Sequence, residues 1–250
     1  MTRGVLLYCF DTPYTAYRKI ANRCVRLIEK NLGLPITIVT DSQTLGAWID
    51  RPDCDFMSID IDRTNTKFSR PWYNVERHMA YDHSPYEHTI VIDVDYFCFT
   101  DKLLHLLDSD YDFLVHKDAH DVMNCKKMKF DRESMLYLVW ATVLIFKKTQ
   151  KAKKIFDMVR MIKNNYQHFR NLYRISHTNF RNDYAFAIAL HQLNGFVDYE
   201  IIPDSIATVS INTKILHIDD AGIVLQTNTD KIISISQQDI HFINKEIANV

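Results

Sequence analysis

Short apolar runs alternating with stretches of helical period organise the first half of the chain. Gly4 to Phe10 (GVLLYCF) is apolar throughout, the pattern of a strand covered on both faces in a parallel sheet, and it ends at Asp11. Thr12 and Pro13 read as a helix start, a capping hydroxyl followed by a first-turn proline. Ala16, Ile20, Cys24, Leu27 and Ile28 then recur at helical spacing until Gly33. Pro35 to Thr40 (PITIVT) is a second strand, ending at Asp41, and Phe56 to Ile61 is a weaker third. Strand, helix and strand joined by short links predict a right-handed βαβ unit, whose ligands collect at the carboxyl ends of the strands. Asp11, Asp41, Asp93 and Asp95 all fall at such ends.

A helical pattern through Trp72, Val75 and Met79, with Arg77 on a neighbouring face, predicts a helix over Ser69 to Ser84, closed by Pro85. The central strand follows within Thr89 to Thr100 (TIVIDVDYFCFT). Beyond it, Lys102 to Leu107 reads as a short helix, Tyr111 to His116 as a strand, and Met135 to Phe146 as an apolar segment ending in a strand. Lys151 to Tyr173 reads as one long helix and Asn179 to Leu193 as another. Ile215 to Ile218, Ile223 to Leu225 and Ile232 to Ile235 predict hairpins at one edge. The expected fold class is α/β, with a mostly parallel central sheet flanked by helices and a mixed, more antiparallel C-terminal part.

Length and composition narrow the function classes. The 250 residues suit a single domain, and 30 basic against 31 acidic side chains exclude a broadly cationic nucleic-acid coat. Five scattered cysteines without a Cys-x-x-Cys indicate neither a disulfide framework nor a zinc site, which fits a reducing cytoplasm. No basic-then-apolar leader opens the chain, and the longest apolar run, Leu136 to Phe146, is too short to span a bilayer.

The chemistry concentrates at Asp93 and Asp95. With only Val94 between them on an extended strand, their side chains share a face about 7 Å apart. Carboxylates so crowded repel unless a cation lies between them, and Mg²⁺ or Mn²⁺ would bring phosphate oxygens with it. The plain alternative is a strand end running into a polar loop.

Taken with the second half, the chain resembles GT-A fold glycosyltransferases of the glycogenin-like class, and more narrowly the short predicted glycosyltransferases of tailed bacteriophages. The resemblance implies a nucleotide-diphospho-sugar transferase fold, with residues 1–100 binding the nucleotide sugar and 101–250 the acceptor. It implies that Asp93 and Asp95 bind Mn²⁺ or Mg²⁺ with the donor diphosphate, and that His241, of the pair His241-Phe242, is the third metal ligand. Ala16-Tyr17 stands where the family packs a tyrosine on the uracil of UDP, with Asp11 and Thr12 nearby, and Asp41, at the end of the second strand, is a further candidate for binding the donor. Arg77, sixteen residues before Asp93, matches a basic residue that contacts the donor, and Asp183, preceded by Asn182, matches a carboxylate close to the transferred sugar. Departures accompany these matches. Tyr184 replaces the glutamine expected after that carboxylate, Trp140-Ala141-Thr142 replaces a small glycine-containing strand, and Lys245 lies nearer to His241 than the family's phosphate lysine. Each residue has an ordinary structural alternative: helix N-terminal carboxylate for Asp183, core aromatic for Tyr17, ion-paired helix residue for Arg77 and structural histidine for His241.

From Lys126 to Arg181 the chain carries 14 Lys and Arg against three acids. Such a stretch could hold DNA phosphates, with Tyr166, Phe169 and Tyr173 filling the space of a displaced base, or could be a solvated face balanced by acids elsewhere. Combined with the phage resemblance, it leads to 5-hydroxymethylcytosine in DNA as the expected acceptor, against a saccharide or protein hydroxyl. An aspartate phosphatase would want Thr or Val where Phe97 stands, and a sugar nucleotidyltransferase would want a glycine-rich basic loop that FDTPYTAYRK lacks. A non-catalytic DNA-binding protein would leave Asp93 and Asp95 unexplained.

Overall fold

The structure, a computed structural model, describes residues 1–67, 70–123, 126–127, 136–195 and 201–249. In chain order the first elements are β1 (Arg3–Tyr8), α1 (Tyr17–Asn31), β2 (Ile36–Thr40), α2 (Ser42–Gly46), β3 (Asp55–Ser58), β4 (Thr66–Lys67), β5 (Arg70–Pro71), α3 (Ala80–His83), β6 (His88–Asp93), β7 (Tyr96–Phe97) and α4 (Lys102–Leu107). Then come β8 (Phe113–His116), β9 (Ala119–Asp121), β10 (Lys126–Lys127), β11 (Trp140–Lys147), α5 (Gln150–Asn164), α6 (Tyr166–Leu172) and α7 (Asn182–Asn194). The chain closes with β12 (Ile201–Ile202), β13 (Ile206–Val209), β14 (Lys214–Ile218), β15 (Gly222–Gln226), β16 (Ile232–Ser236) and β17 (Ile240–Phe242), and a 3₁₀ turn over Lys245–Asn249.

A seven-stranded sheet in the order β12-β8-β11-β6-β1-β2-β3 forms the middle of the fold. β1 pairs in parallel with both β2 and β6, while β11 runs antiparallel between β6 and β8. Helices cover both faces, which is why the β1 run has no polar alternation. Val5 and Leu7 pack with Ile20, Cys24 and Ile28 of α1, and Leu6 and Tyr8 pack with Phe156 of α5 and Phe186 of α7. Each fully buried Leu contributes about 1.5–3 kcal/mol relative to exposure. Gly4 admits the Tyr86 ring against β1, since a Cβ there would come within 2.4 Å of it. A second sheet, β10-β9-β13-β17-β7, sits against the carboxyl end of β6 because β7 follows it directly, and β14-β15-β16 form the expected antiparallel piece.

Several boundaries differ from expectation. Thr12-Pro13 does not start the helix: the Thr12 hydroxyl accepts the amides of Tyr14 (3.3 Å) and Thr15 (3.1 Å) in a separate turn, and α1 begins at Tyr17. The helix expected over Ser69 to Ser84 shrinks to a 3₁₀ turn at Glu76–Met79 and the short α3, because Arg70–Pro71 instead pairs with Thr66–Lys67. Ser69 itself lies outside the described residues, as do Met135, Cys125, Lys129 and Arg132. The long helix from Lys151 is two, broken at Asn165, whose backbone amide donates to the Met161 and Ile162 carbonyls (3.1 and 3.2 Å) and closes α5.

Two buried histidines make stability depend on pH. Burial pulls His116 down to about 4, and burial with the Lys163 ammonium brings His78 to about 4 as well. Below the usual value near 6.5 the unfolded chain takes up protons that the fold refuses, so this stability is present above pH 6.5 and lost as pH falls towards 4. Asp239 works in the opposite sense: burial pushes its carboxyl up to about 6, so the fold binds that proton first and gains stability below pH 6. Two losses outweigh one gain. Urea unfolding is expected to show a falling midpoint between pH 6.5 and 4, by up to about 1.4 kcal/mol per group per pH unit. A flat midpoint across that interval would refute the assignment.

Candidate functional site

β6 delivers Asp93 as its last residue, and a tight turn carries Asp95 before β7 begins. β17 pairs antiparallel with β7, placing His241 opposite Tyr96, and the Phe242 amide donates to the Asp95 carbonyl at 2.8 Å. Residues from the middle and the end of the chain are thereby brought together: one ligand atom each from Asp93, Asp95 and His241 lie within 4.8 Å of one another. They are the one such group of acid, histidine and cysteine side chains found among the described residues.

Asp95 is buried, and its two oxygens meet different partners. Oδ1 faces His241 Nε2 at 3.3 Å, while Oδ2 pairs with the Lys245 ammonium, which also donates to the Phe242 carbonyl at 2.6 Å. Burial alone would raise the Asp95 carboxyl, but Lys245 and His241 more than offset it and hold it well below the usual carboxylate range. Burial also lowers His241, against the attraction of Asp95, so its imidazole is neutral at pH 7 and has a lone pair to offer. The Trp140 ring stands edge-on to the imidazole, with centroids 6.5 Å apart.

The residues fit a hard divalent cation. Two carboxylates and a neutral imidazole are a donor set for Mn²⁺ or Mg²⁺. Asp95 Oδ1, the oxygen that faces His241, is a buried side-chain atom without a well-formed hydrogen bond, as a ligand atom would be, and the Lys245 ammonium already answers the negative charge from one side.

Asp93 is fixed from behind. Asn74 Nδ2 donates to its Oδ1 at 2.8 Å, and Arg77 pairs with the same oxygen. Arg77 is only 3% exposed and also donates to the Ala141 carbonyl. Burial lowers its pKa to about 10, partly countered by Asp95 and Asp183, so it stays charged at neutral pH. On the far side of Ala141, the Ala141 amide donates to Asp183 Oδ1 at 3.1 Å, and Arg181 Nη2 donates to Asp183 Oδ2 at 2.8 Å. Asn182, buried at the start of α7, donates to the Asn74 carbonyl at 3.0 Å. Asp93, Arg77, Ala141, Asn182 and Asp183 therefore form one connected polar group behind the carboxylate pair.

The remaining sequence candidates flank it at the ends of β1 and β2. Tyr17 opens α1, and burial followed by the Asp95 charge raises its hydroxyl pKa. Asp11 accepts the Arg18 amide at 3.0 Å and pairs with the Arg18 guanidinium. Asp41 caps α2 by accepting the Thr44 amide at 2.9 Å and binds Arg63 through both oxygens at 2.7 and 2.8 Å. Burial raises the Asp41 carboxyl, but the Thr44 and Arg63 hydrogen bonds bring it below its ordinary value. Arg63 also lies over the Tyr73 ring, 5.0 Å from its centroid. Sequence reasoning missed Asn74, Arg63, Tyr73 and the contact of Trp140 with His241. Each works through contacts between chain-distant residues, and the sequence carries no periodic signal for them.

The basic stretch changes character in three dimensions. Lys153 pairs with Asp157 at 2.7 Å, Lys163 with Glu76 at 3.0 Å, Arg160 with Asp82 and Arg181 with Asp183. The side chains of Lys126, Lys127, Lys129 and Arg132 lie outside the described residues. Tyr166 and Phe169, expected to be available for a displaced base, are buried core residues at 8% and 7% exposure, because α6 turns its apolar face onto the α5 and α7 layer. Tyr173 is half-buried and stands edge-on to His191.

No protein-family profile matches the chain, and no curated protein matches it. Solved structures do. An active-site mutant of LgtC is 13% identical, with 74% of this chain covering 68% of that one at a TM-score of 0.49. Mouse xyloside xylosyltransferase 1 is 10% identical, with 78% and 83% covered and a TM-score of 0.47. The 4-diphosphocytidyl-2C-methyl-D-erythritol synthase of Anaerococcus prevotii is 11% identical, with 80% and 88% covered and a TM-score of 0.40. At these values the activity has to rest on the residues themselves. Among the described residues, no helix is long and apolar enough to cross a membrane.

Proposed function

We propose that the protein is a GT-A type glycosyltransferase that moves a sugar from a nucleotide diphosphate donor, a UDP-sugar, to an acceptor hydroxyl. The observation that carries this reading is the convergence of Asp93, Asp95 and His241 at the carboxyl end of the central strands. In the reaction the bond from the anomeric carbon to the diphosphate breaks, a bond to the acceptor oxygen forms, and the acceptor hydroxyl loses its proton. These three residues would hold a divalent ion, which would supply Lewis-acid stabilisation to the departing diphosphate. Lys245, 29% exposed at its side chain and paired to Asp95, would add a second positive charge to that oxygen-rich group. Tyr17 offers its ring for the base, with Asp11, Thr12 and Asp41 lining the strand ends beside it. Arg77 holds Asp93 in register, and Asp183, with Asn182, gives an anionic face to the oxocarbenium-like sugar. In this reading residues 1–100 bind the donor and 101–250 build the acceptor side.

The test is a thermal shift against UDP, GDP, CDP and ADP, each with and without Mn²⁺, because a ligand of the folded state raises the midpoint by mass action. Stabilisation by UDP that needs the metal and vanishes in Asp93→Ala is the expected result. No shift with any nucleotide would sink the reading.

For the acceptor, the concentration of basic residues over 126–181 supports a DNA substrate, 5-hydroxymethylcytosine in a phage genome. The ion pairs that engage Lys153, Arg160, Lys163 and Arg181 favour a saccharide or protein hydroxyl instead, since paired cations have less to offer phosphate. Labelled UDP-glucose and UDP-galactose incubated with hydroxymethylated and unmodified duplexes separate the two. Label appearing only on the hydroxymethylated DNA supports the first, and label on neither, with donor hydrolysis intact, rejects it.

A further inference from the structure

Away from the carboxylate pair, a cavity of about 300 Å³ lies between α4, the end of β8, the segment joining β12 to β13, and the residues leading into β17. None of Asp93, Asp95, His241, Arg77 or Asp183 lines it. Its apolar lining comes from Leu103, Leu106, Ile202, Pro203 and Ile206. The most deeply buried polar group is His116, 3% exposed, and its ring has a defined orientation. Nδ1 meets the Asp204 carbonyl at 2.8 Å, and a carbonyl only accepts, so Nδ1 carries the proton. Nε2 therefore carries a lone pair, and this atom, on a residue that lines the cavity, is buried without a hydrogen-bond partner. Burial keeps the ring neutral at pH 7, with its pKa at about 4.

These features constrain what the cavity takes. A lone pair at its deepest polar point asks for a hydrogen-bond donor from the ligand. The lining carries Lys102 and Asp204, 3.9 Å apart, and a second carboxylate, Asp239, whose Oδ1 accepts from the Thr100 amide and hydroxyl, so an anion gains no net attraction there and the carboxylates are further acceptors for ligand hydroxyls. The Gln238 amide, also in the lining, can donate or accept. A volume of about 300 Å³ is at the lower end for small-ligand sites and small for a nucleotide. A neutral, compact molecule bearing several hydroxyls, with C–H faces to lay on Leu103, Leu106 and Pro203, satisfies all of these.

We propose that this cavity is a binding site for a neutral monosaccharide, with one sugar hydroxyl donating to His116 Nε2 and the ring face packed on Leu103, Leu106 and Pro203. The site is independent of donor binding, although it adjoins the metal group along the chain: Tyr96 in its wall follows Asp95, and Asp239 precedes His241 by two residues.

Saturation-transfer difference NMR of the full chain with glucose, galactose, mannose and xylose tests this, with adenosine as a planar alternative of opposite shape. Binding in the millimolar range to at least one monosaccharide is expected, weakened tenfold or more by Leu106→Trp, which fills the cavity from a half-buried position, and by His116→Leu, which removes the lone pair. If His116→Leu fails to fold, Leu106→Trp carries the test alone. Asp93→Ala is expected to leave this binding unchanged, while abolishing the metal-dependent UDP shift, so failure of this site and failure of the transferase reading are distinguishable. No transfer to any of the four sugars, a signal that survives Leu106→Trp, or preferential binding of adenosine overturns the proposal.

Discussion

Asp95→Asn is expected to abolish the metal-dependent response to UDP and to lower turnover of the sugar donor on the order of a thousandfold, while leaving the protein folded. The substitution keeps the shape of the side chain and removes only its charge. Asp95 contacts both His241, at 3.3 Å, and the Lys245 ammonium outside the group. Without its charge, Asp93 is the sole anionic ligand, and a cation that prefers oxygen loses half its compensating charge. A Lewis acid contributes several kcal/mol of transition-state stabilisation, and every 1.36 kcal/mol is tenfold in rate, which gives the expected scale. The cost to the fold is smaller than to the chemistry. Lys245 keeps 29% of its side chain exposed and can turn to water, and its second hydrogen bond, to the Phe242 carbonyl, stays available. The measurements are urea unfolding, thermal shift with UDP and Mn²⁺, and donor hydrolysis on the same preparation. Turnover within tenfold of the unaltered protein would remove the metal role from this carboxylate.

The parts of this arrangement that can be read from the sequence are those with local signals. The β1 and β6 runs are apolar through their centres, and β2 is interrupted only by the buried Thr37, because helices cover both faces of the sheet, and each run ends where the chain leaves the core, at an aspartate. The spacing of Asp93 and Asp95 is likewise local. His241 is reachable only through the order of motifs, since nothing within its own segment shows that β17 lies beside β7. Where two local signals compete, the pattern of residues does not decide between them. The Thr12 hydroxyl caps a turn as readily as a helix, and the apolar period of α5 continues through Tyr166 and Phe169 although the helix axis breaks at Asn165. The basic stretch misleads for a related reason. Charge density along the chain says nothing of Asp82 and Glu76, which come from 78 and 87 residues away to meet Arg160 and Lys163.

Arg77→Met should be the most destabilising single change near the site, costing about 3 kcal/mol or more. Removing one partner of a buried ion pair leaves the other charge unanswered, and such losses run to about 3–5 kcal/mol. The lower figure applies because Asp93 retains 18% side-chain exposure and keeps the Asn74 amide at 2.8 Å. Methionine fills most of the volume of the arginine stem, so the loss reports the guanidinium and not a cavity. That guanidinium bridges Asp93 to the Ala141 carbonyl, and Ala141 in turn donates its amide to Asp183. Its loss therefore reaches both sides of the proposed reaction, the metal carboxylate and the carboxylate facing the sugar. Two comparisons separate this bridging role from direct contact with the donor. Asp93→Asn combined with Arg77→Met should recover part of the stability lost in Arg77→Met alone, because no unpaired charge remains. Arg77→Lys should stay weakened in Mn²⁺ affinity, because one ammonium lacks the fork that reaches Asp93 and the Ala141 carbonyl together. A full restoration of metal binding and stability by lysine would mean that Arg77 acts only as a point charge, and the bridge from Asp93 to Asp183 would have no part in organising the site.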